Sequence, residues 1–392
     1  MPNARLAYLA DRQVHLLFDD GETEILSSAF VEDVRRREAS IDRKTSWKTQ
    51  GTGARFMGAA ALWDDAQGKR EPAFFVALSR GRRPGELLYA VTTGVVSGIF
   101  AYDVATKGET RLVHGTDGVA LSMATSDDHR VVAMTRSQKN GSCNVAVMRD
   151  DGGEVALVTD GDTVDGAPSW VPVGPEVTAG RHQLVYQSSG VGRDETGMLA
   201  GLGPSEIHLL DAEHAKLRTL VAHPDFDYLS PRMMQDGTLF AIRRPYHRGP
   251  AAPNAGEMLR DGLVAPLRLM YAGFRYLDYF TMRYTGKPMS TLGNTRGRQV
   301  DARRLHERQN LASAGEVGQP DELPRAPREW ALVRRTPHGD ETVVAESVAG
   351  YDFERNGALL LTDGAAITRV APDGQCAKLA DAPRVTTLVS LV

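Results

Sequence analysis

Residues 130–160 read RVVAMTRSQKNGSCNVAVMRDDGGEVALVTD, three runs rich in β-branched and large apolar side chains. The last two are joined by Asp151-Gly152-Gly153, and turn residues between alternating apolar runs mark a hairpin. The same unit returns at 182–223 as HQLVYQSS, SEIHLLD and LRTLVAH, and near the end as ALLLTDG, AITRVAPDG and CAKLADAP. One more short run precedes each triplet: VALSMATS (119–126), APSWVP (167–172) and YDFERNG (351–357). A four-stranded unit recurring every roughly 35–55 residues predicts propeller blades, because one such sheet cannot bury both of its faces alone.

Extending the repeat outward gives six blades. The second covers 54–115, the third 119–160, the fourth 167–223, the fifth 228–347 with a long interruption, and the sixth 348–383. In the second, PAFFVAL and ELLYAVTTG compete for one strand position. The runs RLAYLA, QVHLLF and TEILSS at the start and RVTTLVSLV at the end make up the remaining blade, and their pairing hides two open sheet edges. The expectation is therefore an all-β, six-bladed β-propeller, closed by the C-terminal strand joining the N-terminal three. Residues 1–245 form blades one to the first part of five, 246–327 a helical insertion, and 328–392 the remainder.

Composition sets the outer limits. With 392 residues, 42% hydrophobic and 24% charged, the chain belongs with ordinary globular proteins. A net charge of −4 argues against a nucleic-acid partner. The two cysteines, Cys143 and Cys376, have no zinc spacing and suit a reducing compartment. Arg5, Asp11 and Arg12 interrupt the N-terminal apolar stretch, and no run of about 18 uncharged apolar residues occurs, so a cytoplasmic protein is expected.

DGAPSWVPVG (165–174), followed by HQLVYQSSG, and YLSPRMMQDGTLFAIRRP (228–245) resemble the repeat of TolB-type six-bladed propellers. In that repeat an Asp-x-x-Pro-x-Trp segment and a Pro-Asp-Gly turn precede an apolar strand. The resemblance covers most of the chain outside 29–54 and 246–327, and its motifs specify fold. TolB is an exported envelope protein with a separate N-terminal domain, for which this chain has neither signal nor room, so the envelope role does not transfer. The hydrolase domain of prolyl-oligopeptidase-like enzymes, which share the repeat, is also lacking.

Motifs for chemistry are sparse. Gly203-Pro204-Ser205-Glu206-Ile207 lacks the last glycine of a nucleophile elbow and reads as entry into a strand. Asp160, Asp162 and Asp165 lie close together as in cation sites, yet Asp and Gly are also what a tight turn demands. Histidines such as His15, His114, His129, His182 and His208 stand singly, without a helix-borne zinc pattern. No metal or cofactor is expected.

Loops carry the better clue. Three excursions exceed turn length: 29–54, 190–204 (which holds Arg193) and 246–327, and in the propeller register all three rise from one face. RRPYHRG clusters Arg243, Arg244, Tyr246 and His247 at the entry to the third, either as contacts for an acidic partner or as a solvated strand end. The third excursion has twelve Lys/Arg against eight Asp/Glu. Within it, 266–285 predicts an amphipathic helix: Leu267, Met270, Phe274 and Leu277 share one face, widened by Tyr271 and Tyr276, while Arg268, Arg275 and Arg283 form a stripe. That helix packs on the propeller, docks on a protein partner or a second copy, or lies in a membrane interface. The stretch 289–327 is polar. The functional expectation is a non-catalytic scaffold for protein–protein interaction, cytoplasmic or membrane-peripheral. The alternative is an enzyme or a small-ligand or metal binder using the central channel.

Overall fold

A computed structural model describes residues 4–49, 73–93, 96–126, 130–172, 183–193, 199–211, 216–246 and 325–392. The expected helix at 266–285 and the polar stretch 289–324 lie outside them. Among the described residues the strands form five sheets, four of four strands and one of nine. The nine-stranded sheet is two four-stranded meanders joined by a single parallel pairing of Cys143 with Val164, with the short strand Leu199–Leu202 alongside. Strands within each meander run antiparallel.

The first meander contains Val385–Ser390, Ala4–Ala10, Gln13–Phe18 and Thr23–Ile25, in that spatial order. Its seam pairs the two ends of the sequence, from Leu6 opposite Ser390 to Ala10 opposite Val385. The other meanders begin with the lead strands Phe74–Arg80, Ala120–Thr125, Thr163–Trp170, Phe226–Met233 and Gly350–Phe353. Two boundaries differ from the sequence reading. PAFFVAL and ELLYAVTTG do not compete but pair as neighbours, Phe74 opposite Thr92 to Arg80 opposite Leu87, so the second meander's strands span Phe74–Gly115. Both strands are buried on both faces, which removes the alternation that would have separated them. The fourth meander starts at Thr163, because Asp165 lies inside a strand rather than a turn.

Pro168 and Pro231 show how the repeat motif works. Each follows a residue with positive φ (Ala167 at 45°, Ser230 at 51°) and sits in a break of register between its lead strand and the next. Proline has no N–H to give a ladder, so it fits a sheet at an edge or a bulge. The bulge turns backbone groups outward, and the neighbouring meander captures them. Ala167 N donates to Ser122 Oγ at 3.2 Å, and Ser230 N to Gln187 Oε1 at 2.7 Å. Tyr351 OH donates to the Ser230 carbonyl at 2.7 Å, and Trp170 Nε1 to the Ala124 carbonyl at 2.9 Å.

Apolar layers fill the spaces between meanders. Leu9 and Leu16 of the first meet Phe75 and Tyr89 of the second. Leu88 and Ile99 of the second meet Met123 and Met134 of the third, whose Val145 meets Leu184 and Tyr186 of the fourth. Ile207 and Val221 of the fourth face Leu239 and Val333 of the fifth, and Ile242 and Leu332 of the fifth face Tyr351 and Leu359 of the sixth. Leu360 and Ile367 of the sixth then pack on Leu6, Tyr8, Leu17 and Leu388 of the first. Burying a large apolar side chain contributes about 1.5–3 kcal/mol, so these layers are the main source of stability.

Charge reinforces the seam between the sixth and first meanders. Glu354, with 1% of its side chain exposed, accepts from Arg5 Nη2 at 3.1 Å, Arg369 Nε at 2.8 Å and Asn356 Nδ2 at 3.2 Å. Burial pushes its carboxyl up, but the hydrogen bonds from Arg369, Asn356 and Arg5 outweigh this and hold its pKa below the usual carboxylate value. A group held down in the folded state contributes stability above its unfolded pKa and loses it as pH falls through the folded one. Stability should therefore drop as pH falls below about 4.3, the ordinary glutamate value. Glu354→Gln should lower stability at neutral pH by about 2 kcal/mol, as for a lost charged hydrogen bond, and make the acid-side slope shallower. Urea melts of both proteins across that range check this; equal slopes would contradict it.

Candidate functional site

Two of the three long excursions meet at a defined place. The second strand of the fourth meander, Gln183–Arg193, outruns its lead strand, which ends its pairing at Thr163 opposite Gly190. The extra length pairs back with Leu199–Leu202, making a hairpin that extends past the amino end of the lead strand. Its root is buried: Val191 packs with Leu121, Cys143 and Val164. Arg193 fixes it, donating Nε and Nη2 to the two oxygens of Asp162 at 2.5 and 2.6 Å and Nη2 to the Asn140 carbonyl at 3.1 Å. A charge-assisted, two-point pair of this kind sets orientation as well as energy.

Asp162 is thus the hairpin's anchor. Asp165 is buried and accepts from Thr159 Oγ1 at 2.5 Å and Ser188 Oγ at 2.7 Å, while Asp160 accepts from Gly161 N at 2.9 Å. The three aspartates thus have separate partners, and among the described residues no group of three or more His, Cys, Asp or Glu is arranged to hold a metal ion. Ser205 is buried at the entry to Glu206–Asp211, its N–H on Asp227 Oδ1 at 2.8 Å, as strand entry requires. His15 stacks on Tyr8 and His208 on Tyr186, and burial lowers the His15 pKa.

The fifth meander's second strand ends beside this hairpin. Pro245 pairs with Phe226, the amino end of its lead strand, and Tyr246 OH donates to the Leu202 carbonyl of the hairpin. Arg243 donates Nη1 to Glu341 at 2.7 Å and lies over the Phe226 ring at 5.0 Å. Glu341 also accepts from Tyr228 OH at 3.1 Å; burial, with the Glu341 charge and hydrogen bond adding to it, pushes that phenol up to about 12. Arg244 is buried, paired with Asp227 at 3.1 Å and set over Trp330 at 5.0 Å. Neither arginine is a solvated strand end, and Arg244 is an interior group. His247, Arg268, Tyr271, Phe274, Arg275, Tyr276 and Arg283 lie outside the described residues.

The first excursion holds a helix that its polar sequence did not reveal, α1 (Ala29–Thr49). Ser28 caps it, Oγ accepting from Val31 N at 3.3 Å, and Glu109 of the second meander accepts from Ala29 N at 3.1 Å and Phe30 N at 3.2 Å. Tyr89 donates to the same carboxylate at 2.6 Å. The Phe30 ring lies tilted against Phe100, with centroids 4.9 Å apart, and Val31 is buried, whereas Arg35, Arg36 and Arg37 are exposed. Only the first turns are tied to the sheets by these contacts. Next to the Arg193 hairpin, a polar groove of about 420 Å³ is lined by Arg136, Gln138, Asn140, Ser142, Asn144 and Asp160.

No protein-family model matches the sequence, and no curated protein does. Solved structures do. TolB from Acinetobacter baumannii is 11% identical with a TM-score of 0.50, over 98% of this chain and 66% of that one. A chain of a nidogen/laminin complex is 8% identical, covers 100% of this chain and 99% of its own, and has a TM-score of 0.48. TolB from Agrobacterium tumefaciens is 17% identical over 60% of this chain and 66% of that one, with a TM-score of 0.36. At such identities the likeness shows fold alone: the chain has a TolB-like β-propeller fold, and it spans about two thirds of the A. baumannii TolB chain.

If Arg193 holds the hairpin, Arg193→Ala should raise hydrogen exchange at Val191 and Gly203, whose amides bond to Asp162 and Gly190. The increase should be about tenfold or more, the effect of losing a hydrogen bond between charged groups, with little change in the global melt. Unchanged exchange at both amides would show that the hairpin stands without the ion pair.

Proposed function

We propose that this TolB-like propeller is a non-catalytic scaffold, a ring of six blades closed by Val385–Ser390, that binds a protein partner at the amino ends of its lead strands. The six meanders and the apolar layers that link each to the next, the sixth to the first included, support the ring. In this reading 1–245 and 328–392 build the ring and 246–327 is an inserted element carrying the partner-binding helix, with Arg268, Tyr271, Phe274, Arg275, Tyr276 and Arg283 on it. His247 stands at its entry, beside Arg243, Arg244 and Tyr246.

One observation carries the proposal: the hairpin fixed by Arg193 and the root of the 246–327 insertion are joined by Tyr246 and Leu202. Two long excursions thereby share one rigid base, the arrangement by which scaffolds present binding loops. The anchored amino end of α1 precedes the second lead strand and adds a third projection. Among the described residues no helix is long and apolar enough to cross a membrane.

Replacing 246–327 by a short Gly/Ser linker tests this, because each strand of the fifth blade keeps its neighbours. The variant should fold with a cooperative melt, and affinity purification from source cells should lose a protein that the intact chain retains. Arg268→Glu, Arg275→Glu and Arg283→Glu together should weaken the same association with little loss of stability, since exposed charges contribute about 0–1 kcal/mol each. A linker variant that folds and keeps every partner would refute the proposal.

A further inference from the structure

The carboxyl ends of the lead strands carry a concentration of charge that the scaffold reading does not use. Asp352, in the lead strand of the sixth meander, accepts on Oδ2 from Ser390 N at 2.8 Å and from Arg80 Nη2 at 3.4 Å. Arg80 is the last residue of its lead strand, and it also donates to the carbonyls of Ser390 at 2.8 Å and Phe353 at 2.5 Å. From the fifth meander, Arg232 Nη2 approaches Asp352 Oδ1 at 3.9 Å. Two residues along, Glu354 holds Arg5 and Arg369.

Four guanidinium groups thus surround two carboxylates, a local charge of +2 in a chain whose net charge is −4. The anions are the buried members: their side chains are 10% and 1% exposed, against 26%, 34%, 33% and 22% for Arg5, Arg80, Arg232 and Arg369. Positive charge therefore faces outward. Arg232 differs from the other three. Among the described residues its guanidinium makes no hydrogen bond, and its ion pair is long. Its backbone is held, because the buried Tyr351 hydroxyl bonds the Arg232 backbone and the Ser230 carbonyl. Arg80 and Ser390 N already hold Asp352 Oδ2, and the long contact from Arg232 is to Oδ1. Arg232 is a fork of donors without hydrogen-bond partners among the described residues, beside a second arginine, and paired guanidinium groups suit oxyanions.

We propose that Arg232 and Arg80 form a binding site for a small multivalent oxyanion bearing phosphate or carboxylate groups. The site lies at the opposite ends of the lead strands from the excursions and does not rest on the scaffold reading.

Calorimetric titration of the full chain at low ionic strength with pyrophosphate, and separately with citrate, tests it. Saturable binding of at least one is expected; pyrophosphate alone identifies a phosphate site and citrate alone a carboxylate site. Arg232→Gln should weaken that binding about tenfold or more while leaving the ligand-free melting temperature unchanged, and Arg232→Lys should retain part of the affinity. No saturable binding of either anion at millimolar concentration would overturn the proposal. So would an effect reproduced by sodium chloride of equal ionic strength, or full affinity in Arg232→Gln.

Discussion

A four-stranded meander has two faces, and water is a poor neighbour for both. Every other feature of this protein answers that constraint. Apolar layers lie between consecutive meanders, and Leu360 and Ile367 of the sixth cluster with Leu388 of the first. Such an arrangement needs the lead strands to approach one another closely. The bulges at Pro168 and Pro231 allow this, because they release backbone groups that Ser122, Gln187 and Tyr351 take up across the gap. Buried polar groups are thereby satisfied between meanders instead of within them.

The two ends of the lead strands are used differently. At the amino ends, ion pairs and caps fix the roots of long excursions: Asp162 with Arg193, and Glu109 with the first turn of α1. At the carboxyl ends, Asp352 and Glu354 gather arginines from the first, second, fifth and sixth meanders. Removing one partner of a buried pair leaves an uncompensated charge, so Glu354 and Asp352 are structural first. Arg232 differs, since its one ion pair is long, 3.9 Å to Asp352 Oδ1.

The repeat was legible because short β-branched and apolar runs recur with Asp and Gly between them, as in Cys143–Arg149 and the Asp151-Gly152-Gly153 that follows. Legibility failed where the deciding partner is far off in sequence. The helix α1 is mostly polar, and Glu109, the residue that anchors its start, lies eighty positions away. Ser28 before Phe30, Val31 and Val34 was the local signal that could have found it. Arg244 reads in the sequence either as a contact for an acidic partner or as a solvated strand end, and only the fold brings Asp227 and Trp330 to it. Asp165 looked like a turn residue because glycine follows it, whereas its carboxylate is buried on Thr159 and Ser188. The pairing of PAFFVAL with ELLYAVTTG was obscured for the opposite reason: strands buried on both faces carry no alternation to read.

In the proposed ring, closure between the first and last meanders carries the fold. Deleting 385–392 tests it most directly, because those residues supply the lead strand of the first meander and the Ser390 contacts to Asp352 and Arg80. The account predicts a truncated chain without a cooperative thermal transition and with apolar surface open to a hydrophobic dye. A truncated chain that melts cooperatively within about 2 °C of the intact one, a shift worth about 1–2 kcal/mol, would contradict it.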